Sequence, residues 1–412
     1  MRRGLIGYPL GHSYSKIIHE YLTNKPYELI PLDEEAFHRF MRDKDFTGIN
    51  VTIPYKQWVI PYLNEMDDQA RRIGAVNCIV QQKGKLYGHN TDYDGFRWLL
   101  ERNDITILNR TVAILGTGGA AKACRCVIDD MHPKAVYMVS RYDKPGTITY
   151  EQLRTEYRDI DVLINCTPVG MFPNNDETPV DVKDFVGLTA VVDVIYNPIR
   201  TRLVIEALDI GIKAVGGLEM LVGQAVKAIE YFSLDKVSEE QAEECLKMLE
   251  EQKKNIVLIG MPSCGKSSVG HPLSEKLGYE LVEMDKKIEE TIEMPIRDYF
   301  AHYGEEAFRD KETELATSLR DQGHCVISCG GGIIKKPENM RVLRENGTVF
   351  FLVRDIDKLM PTDDRPLSSN LEDMKRLYDE RLDLYYQYAD VVVDNNGKLE
   401  DTIDMIMERV KG

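Results

Sequence analysis

The chain has 412 residues, length for about three domain-sized units, and 43% of them are hydrophobic, so sizeable cores are available. A formal charge of −16 argues against nucleic-acid and membrane-surface partners, and an anionic substrate would need specific lysines and arginines to overcome the global field. The sequence has no apolar run long enough to cross a membrane and no N-terminal secretory signal, and its eight cysteines lack a C-x-x-C pair or a metal-ligand spacing with histidine, so reduced thiols in the cytoplasm are expected.

Leu5-Ile6-Gly7 reads as a strand and Lys16 to Leu22 as a helix, with Ser13 and Ser15 in the turn between them. Serines are favoured N-caps, and on local grounds that accounts for both. A second strand from Phe46 is stopped by Pro54, which leaves Lys56 just past a strand end, where α/β proteins place their chemistry. Ile73 to Val80 is a further strand, and Asp92 precedes a helix opening near Asp94, so an N-cap role suffices for it too.

Thr111 to Leu115 is a strand, and Gly116-Thr117-Gly118-Gly119-Ala120-Ala121 opens a helix. This is the G-x-G-x-x-G/A dinucleotide fingerprint with Ala121 at the third position. The next strand, Ala135 to Val139, ends in Ser140 and Arg141, with Lys144 close behind. An acid to hold a ribose 2′-hydroxyl is missing there, and the two cations suit a 2′-phosphate, so NADP(H) is expected over NAD. Two more strands follow, Asp161 to Asn165 and Val191 to Ile195, and Gly216-Gly217 leads into a helix carrying Gln224. Residues 238 to 254 read as a helix with a Ser238–Gln241 capping box, either the last helix of the first unit, a stiff spacer, or both.

Asn255 to Ile259 is an apolar strand, and Gly260-Met261-Pro262-Ser263-Cys264-Gly265-Lys266-Ser267-Ser268 follows it into a helix. In this phosphate-binding loop the Ser263, Cys264, Gly265 and Ser268 backbone turns toward phosphate oxygens, Lys266 reaches the terminal phosphates of ATP, and Ser267 can hold Mg²⁺. Domains of this kind begin at this strand, so the preceding chain forms a separate unit. Downstream come a strand from Tyr279 to Asp285 ending in acids, a helix with Phe308-Arg309, a strand ending in Gly330-Gly331-Gly332, a polar loop Asp363-Asp364-Arg365-Pro366-Leu367, and a helix with Arg381 and Tyr385.

In the first unit H-S-x-S at residues 12–15, N-V-T-x-P-x-K at 50–56, G-A-V-N at 74–77, N-T-D at 90–92 and N-x-T-x-x-G-M at 165–171 stand in one order. Together they resemble shikimate dehydrogenase, from Leu5 to the end of the unit. The resemblance implies Lys56 and Asp92 as the catalytic pair, and Ser13, Ser15, Thr52, Asn77 and Asp92 on the substrate's hydroxyls and carboxylate, with Tyr196 and Gln224 completing the site. It places Gly116, Gly118, Gly119, Ala120, Ser140, Arg141 and Lys144 on NADP(H), and Val194 and Gly217 against the nicotinamide. The chemistry agrees: an ammonium beside a ketone stabilises the charge that hydride transfer leaves on oxygen and can supply its proton. The family's N-R-T after the second nucleotide-lobe strand is here Ser140-Arg141-Tyr142, and its later arginine is Pro145.

From Asn255 to Gly412 the chain resembles shikimate kinase. By that resemblance Asp285 accepts a hydrogen bond from the reacting hydroxyl, Arg309 and Arg381 clamp the substrate carboxylate, Gly331 and Gly332 lie by the ring, and Arg365 rides a lid over ATP beside Lys266. Glu283 replaces the first Asp of a D-x-D, which implies longer-armed or water-mediated support of Mg²⁺. The stretch from Arg354 to Arg365 is short, and the helix carrying an adenine-stacking arginine is missing, with Arg354 as the nearest replacement.

The expected architecture is α/β throughout: a two-lobed dehydrogenase (an α/β substrate lobe plus a Rossmann NADP lobe), then a P-loop domain resembling nucleoside-monophosphate kinases. The expected spans are 1–103 and 104–217 for the lobes, 218–252 for helices closing the dehydrogenase, and 253–412 for the kinase. The expected function is bifunctional: NADPH reduction of 3-dehydroshikimate to shikimate, then MgATP phosphorylation to shikimate 3-phosphate. Two alternatives stand beside it, a quinate-active dehydrogenase and a kinase-like domain that binds nucleotide without turnover. The expected partners are small molecules, with self-association left open.

Overall fold

The computed structural model of the protein describes residues 2–11, 13–233, 236–359 and 371–411. The chain divides into two compact units, Met1–Leu249 and Glu250–Gly412.

The first lobe of the first unit holds β1 (Arg2–Gly7), α1 (Tyr14–Thr23), β2 (Glu28–Pro31), α2 (Glu34–Asp43), β3 (Phe46–Val51), β4 (Glu65–Met66), α3 (Asp68–Ile73), β5 (Cys78–Gln82) and β6 (Lys85–His89). Its sheet has the order β2-β1-β3-β5-β6-β4 and is mixed, because β5 runs antiparallel to both β3 and β6. Phe37, Met41, Phe46 and Ile49 fill the core beneath it. The apolar runs of β1 and β3 end side by side, so Gly7, Thr52 and the chain leading to Lys56 emerge at one sheet end.

After α4 (Thr91–Arg102) the second lobe contains β7 (Thr111–Leu115), α5 (Gly119–Asp130), β8 (Ala135–Ser140), β9 (Ile148–Thr149), α6 (Tyr150–Thr155), β10 (Val162–Asn165), β11 (Ala190–Asp193), α7 (Arg202–Asp209) and β12 (Lys213–Val215). The order β12-β11-β10-β7-β8-β9 is parallel throughout. Every residue of β7 is buried, as expected of a central strand covered on both faces. The chain returns through α8 (Leu218–Ser233) and α9 (Glu239–Lys253), whose start carries the Ser238–Gln241 capping box with both bonds formed, at 3.0 and 3.1 Å.

Helices α4 and α8 cross closely because each has a glycine at the contact. A Cβ on Gly95 would stand 2.4 Å from the Met220 carbonyl oxygen, and one on Gly223 would stand 3.0 Å from Gly95 Cα. That approach carries Gln224 to the polar start of α4.

Two helix starts differ from the sequence expectation. Helix α1 begins at Tyr14, so only Ser13 is the cap; its Oγ accepts from the Ser15 N–H at 3.2 Å, and Ser15 lies inside the first turn. Helix α4 begins at Thr91, not near Asp94, and its N-cap is Asn90, which accepts from the Asp92 N–H at 3.2 Å. Asparagine caps as well as aspartate does, and its doing so here leaves the Asp92 carboxylate free of that task.

The second unit contains β13 (Asn255–Ile259), α10 (Lys266–Leu277), β14 (Glu280–Glu283), α11 (Met284–Ile292), α12 (Ile296–Ser318), β15 (Cys325–Ser328), α13 (Pro337–Asn346), β16 (Gly347–Val353), α14 (Leu371–Tyr388), β17 (Val391–Asp394) and α15 (Leu399–Lys411). The parallel order β14-β15-β13-β16-β17 puts the buried β13 at the centre. Its C-terminal end delivers the phosphate loop, in which Gly260 and Gly265 take φ of 147° and 100°, open to glycine.

Candidate active sites

In the first unit the carboxyl ends of β1 and β3, the starts of α1 and α4 and the start of α8 face a cleft of about 690 Å³. Ser13, Ser15, Thr52, Lys56, Asn77, Asp92, Tyr196 and Gln224 all line it, as do Ala120, Val194 and Gly217. Lys56 Nζ donates to Asp92 Oδ2 at 2.6 Å. Asn77 Nδ2 donates to the other oxygen, Asp92 Oδ1, at 2.8 Å. Asn77 Oδ1 in turn accepts from the Thr91 N–H at 2.7 Å, and the Asn90 amide donates to the Ala75 carbonyl at 2.9 Å. The carboxylate is thus fixed from both sides, and it fixes the ammonium. Thr91 Oγ1 lies 3.5 Å from Gln224 Oε1, which links this network to α8.

On the nucleotide side Gly116 has φ 105°. A Cβ on Gly217 would fall 2.1 Å from the Val194 carbonyl oxygen, so this wall of the cleft exists only with glycine there. Gly119 sits close by, its Cβ position 3.9 Å from Lys56 Cδ. Gly116 to Gly118 form the turn into α5, and Gly119 and Ala120 are its first two residues. Ser140 is buried, and its Oγ accepts from the Tyr142 N–H at 3.2 Å. Arg141 and Lys144 are exposed beyond β8 and do not line the cleft; the Arg141 guanidinium lies over the Tyr142 ring at 5.8 Å.

The second unit has a cleft of about 460 Å³. Ser263, Gly265, Lys266, Ser267, Ser268, Glu283, Asp285, Arg309, Gly331, Gly332 and Arg381 line it together; Cys264 is buried behind the loop. Lys266 Nζ donates to the Gly260 and Met261 carbonyls, each at 2.9 Å. Arg381 Nη1 and the Tyr385 hydroxyl both donate to the Gly331 carbonyl, at 2.9 and 2.6 Å. Arg381 Nε and Nη2 are buried with no partner among the described residues, an arrangement suited to an anion. The glycines set the shape: a Cβ on Gly332 would come within 2.2 Å of Arg309 Nη1, and one on Gly330 within 2.5 Å of Asp285 Oδ1.

Burial pushes the Glu283 carboxyl up, but hydrogen bonds from Lys286 and Ser267 outweigh it and hold the group below its usual range. Glu283 and Ser267 therefore face each other as an anion and a hydroxyl, a donor set that fits a hydrated Mg²⁺. Arg354 Nη1 lies 3.5 Å from the Cβ position of Gly265, beside the phosphate loop. Arg365 and its loop, 363 to 367, lie outside the described residues.

A sequence model of the shikimate dehydrogenase substrate-binding domain matches residues 5–79, and one of shikimate kinase matches residues 262–411. The NADP(+) shikimate dehydrogenase of Clostridium beijerinckii is 42% identical over 244 residues, which is 55% of this chain and 90% of that one. The chain belongs to the shikimate dehydrogenase family, fused to a shikimate-kinase-like unit. Among solved structures, a chorismate mutase/shikimate 5-dehydrogenase fusion protein from Clostridium acetobutylicum matches with a TM-score of 0.57 and 37% identity, over 60% of this chain and 97% of that one. Shikimate 5-dehydrogenase from Thermus thermophilus, in complex with NADP(H) and shikimate, matches at 0.54 and 27%, over 60% and 99%.

In the shikimate-kinase-like unit the sequence reading passed over Glu312. It is buried, its Oε2 accepts from Arg309 Nη1 at 2.6 Å, and its Oε1 has no partner among the described residues. Burial, helped by the Asp285 charge and opposed by Arg309, pushes its carboxyl up to about 7. Its place three residues after Arg309 puts the two on one helix face, but that spacing alone does not separate a buried pair from a solvated one. In the shikimate dehydrogenase unit the reading passed over Asn50, which takes the Tyr27 hydroxyl at 2.8 Å and lines the cleft.

Proposed function

We propose that the first unit reduces 3-dehydroshikimate to shikimate with NADPH and that the second phosphorylates shikimate with MgATP. The observation that carries the first half is the Lys56–Asp92 pair at 2.6 Å, set in a cleft walled by Ser13, Ser15, Thr52, Asn77, Tyr196 and Gln224. Short hydroxyl and amide side chains suit a cyclic polyol. NADPH supplies the hydride when bound, and its nicotinamide fits the wall made by Val194, Ala120 and Gly217. The NADP(+) in the names of the curated relatives supports that cofactor, with Arg141 and Lys144 on the 2′-phosphate. Lys56 Nζ stabilises the developing oxyanion and delivers a proton to it. Asp92, held by Asn77, keeps the ammonium in place and takes a hydrogen bond from a neighbouring substrate hydroxyl.

The second half rests on one cleft holding both a phosphate-loop lysine, Lys266, and two buried arginines, Arg309 and Arg381. MgATP supplies the phosphoryl group when bound. Arg381 and Arg309 hold the substrate carboxylate, Asp285 takes the proton side of the attacking hydroxyl, and the Gly331–Gly332 backbone lets the ring lie close. Lys266 leaves its own loop carbonyls for the phosphates, with Ser263, Cys264, Gly265 and Ser268 around them, Ser267 and Glu283 toward Mg²⁺, and Arg365 closing from the lid. We assign 1–103 and 104–217 to the dehydrogenase lobes, 218–252 to the closing helices and 253–412 to the kinase. Eight free thiols suit a reducing compartment such as the cytoplasm.

The two reactions meet at one carbon: the hydroxyl made by the reduction is the one phosphorylated. The test is spectrophotometric. NADPH oxidation is followed with 3-dehydroshikimate, and ADP release is followed when MgATP is added. Reduction without ADP release would leave the second unit as a nucleotide-binding module only.

A further inference from the structure

Tyr14 stands between Ser13 and Ser15, and both serines line the cleft while Tyr14 does not. Its ring instead meets the ring of Tyr196 edge-on, with centroids 5.7 Å apart and planes at 87°. Tyr14 is the first residue of α1, in the substrate lobe; Tyr196 is on the loop after β11, in the nucleotide lobe. The contact therefore crosses the cleft. Tyr14 also packs against the apolar cluster that joins α1 to α8 through Ile18, Leu218 and Leu221. Tyr196 is 37% exposed and lines the cleft.

We propose that Tyr14 is a positioning residue for the reduction: its ring fixes the Tyr196 ring across the cleft and so sets where the Tyr196 hydroxyl meets the substrate. This rests on the reading of Tyr196 as a substrate contact. Edge-to-face ring pairs are directional, so an aliphatic side chain of similar volume fills the space without fixing the angle. Tyr14 does not line the cleft, and the effect assigned to it passes through Tyr196.

The test is a double-mutant cycle on the full chain, with steady-state kinetics for both substrates and thermal unfolding of the first unit. Tyr14→Leu keeps apolar packing and should raise KM for 3-dehydroshikimate about 3- to 10-fold, the worth of one such ring pair, with KM for NADPH unchanged. Tyr14→Phe keeps the ring and should be clearly less impaired than Tyr14→Leu. In a Tyr196→Ala background Tyr14→Leu should add less than about 2-fold, because the ring it positions is gone. Effects that multiply fully, a rise confined to NADPH, or a Tyr14→Phe variant as impaired as Tyr14→Leu would each overturn the assignment. If the unsubstituted chain oxidises no NADPH with 3-dehydroshikimate, the functional reading fails and this inference with it; turnover with an independent cycle sinks the inference alone.

Discussion

Lys56 and Asp92 show how far single residues could be read. A lysine after a strand and an aspartate before a helix are ordinary surface features one at a time. What makes them legible is the four short polar motifs of the substrate lobe in register, from H-S-x-S to N-T-D, and the structure brings the lysine and the aspartate to 2.6 Å of each other with Asn77 as the third member. Lys56→Ala should lower NADPH oxidation by roughly 10²–10⁴-fold, the usual weight of general acid catalysis, while ADP release with added shikimate stays at the unsubstituted rate. A loss under tenfold would move the proton donor elsewhere. Glu312 was hidden for the opposite reason. It sits in a helix dense with charge, where a glutamate reads as a solvated face, and only tertiary packing reveals that it is buried against Arg309. Its carboxyl is raised to about 7 from 4.5, so the folded unit keeps a proton that the unfolded chain releases. More protons bound in the folded state means that stability falls as pH rises, here between 4.5 and about 7, and levels off above. Glu312→Gln should flatten that slope in urea unfolding of the second unit measured across those pH values. An unchanged slope would assign it to other groups.

At the scale of elements, the strands were the most legible part, because parallel strands buried on both faces read as unbroken apolar runs. Val112 to Leu115 and Ile256 to Ile259 are buried throughout. Helix starts were less so. Asn90 and Asp92 are both good caps, and sequence offers no ground to choose; the choice is made by Asn77 and Lys56, which claim the aspartate. The α4–α8 crossing was not legible at all. Gly95 and Gly223 lie 128 positions apart in the sequence, and neither sits in a turn. Gly95→Ala would drive a methyl against the Met220 carbonyl and force the helices apart. Overpacking of this kind costs about 1–3 kcal/mol, which should lower the melting temperature of the first unit by roughly 2–10 °C. Because Gln224 rides on α8, KM for 3-dehydroshikimate should rise as well. A stable variant with unaltered KM would show that the crossing does not set the site. In the second unit Gly332→Ala would place a methyl on the Arg309 guanidinium, 2.2 Å away. It should weaken shikimate binding by calorimetry while ADP binding is kept.

The whole molecule carries two separate clefts whose proposed reactions share one small acid. Each cleft is built within its own unit, the first from residues up to Gln224 and the second from Pro262 onward. Among the described residues none lines both. If the intermediate is released between them, the units need not act on one polypeptide at a time. Lys56→Ala alone should phosphorylate but not reduce, and Lys266→Ala alone should reduce but not phosphorylate. Mixed in equal amounts, the two variants should restore conversion of 3-dehydroshikimate to the phosphate ester. Product should appear after a lag, while free shikimate accumulates to a level that supports the second reaction. A chain with both clefts intact should show the same lag at the same concentration of each working site, that is, at half the total protein. Conversion by the intact chain without a lag, against a lag in the mixture, would mean that shikimate is retained on the chain between steps. Failure of the mixture to convert at all, with each variant active in its own half-reaction, would mean that the shikimate made on one chain is not released to the other.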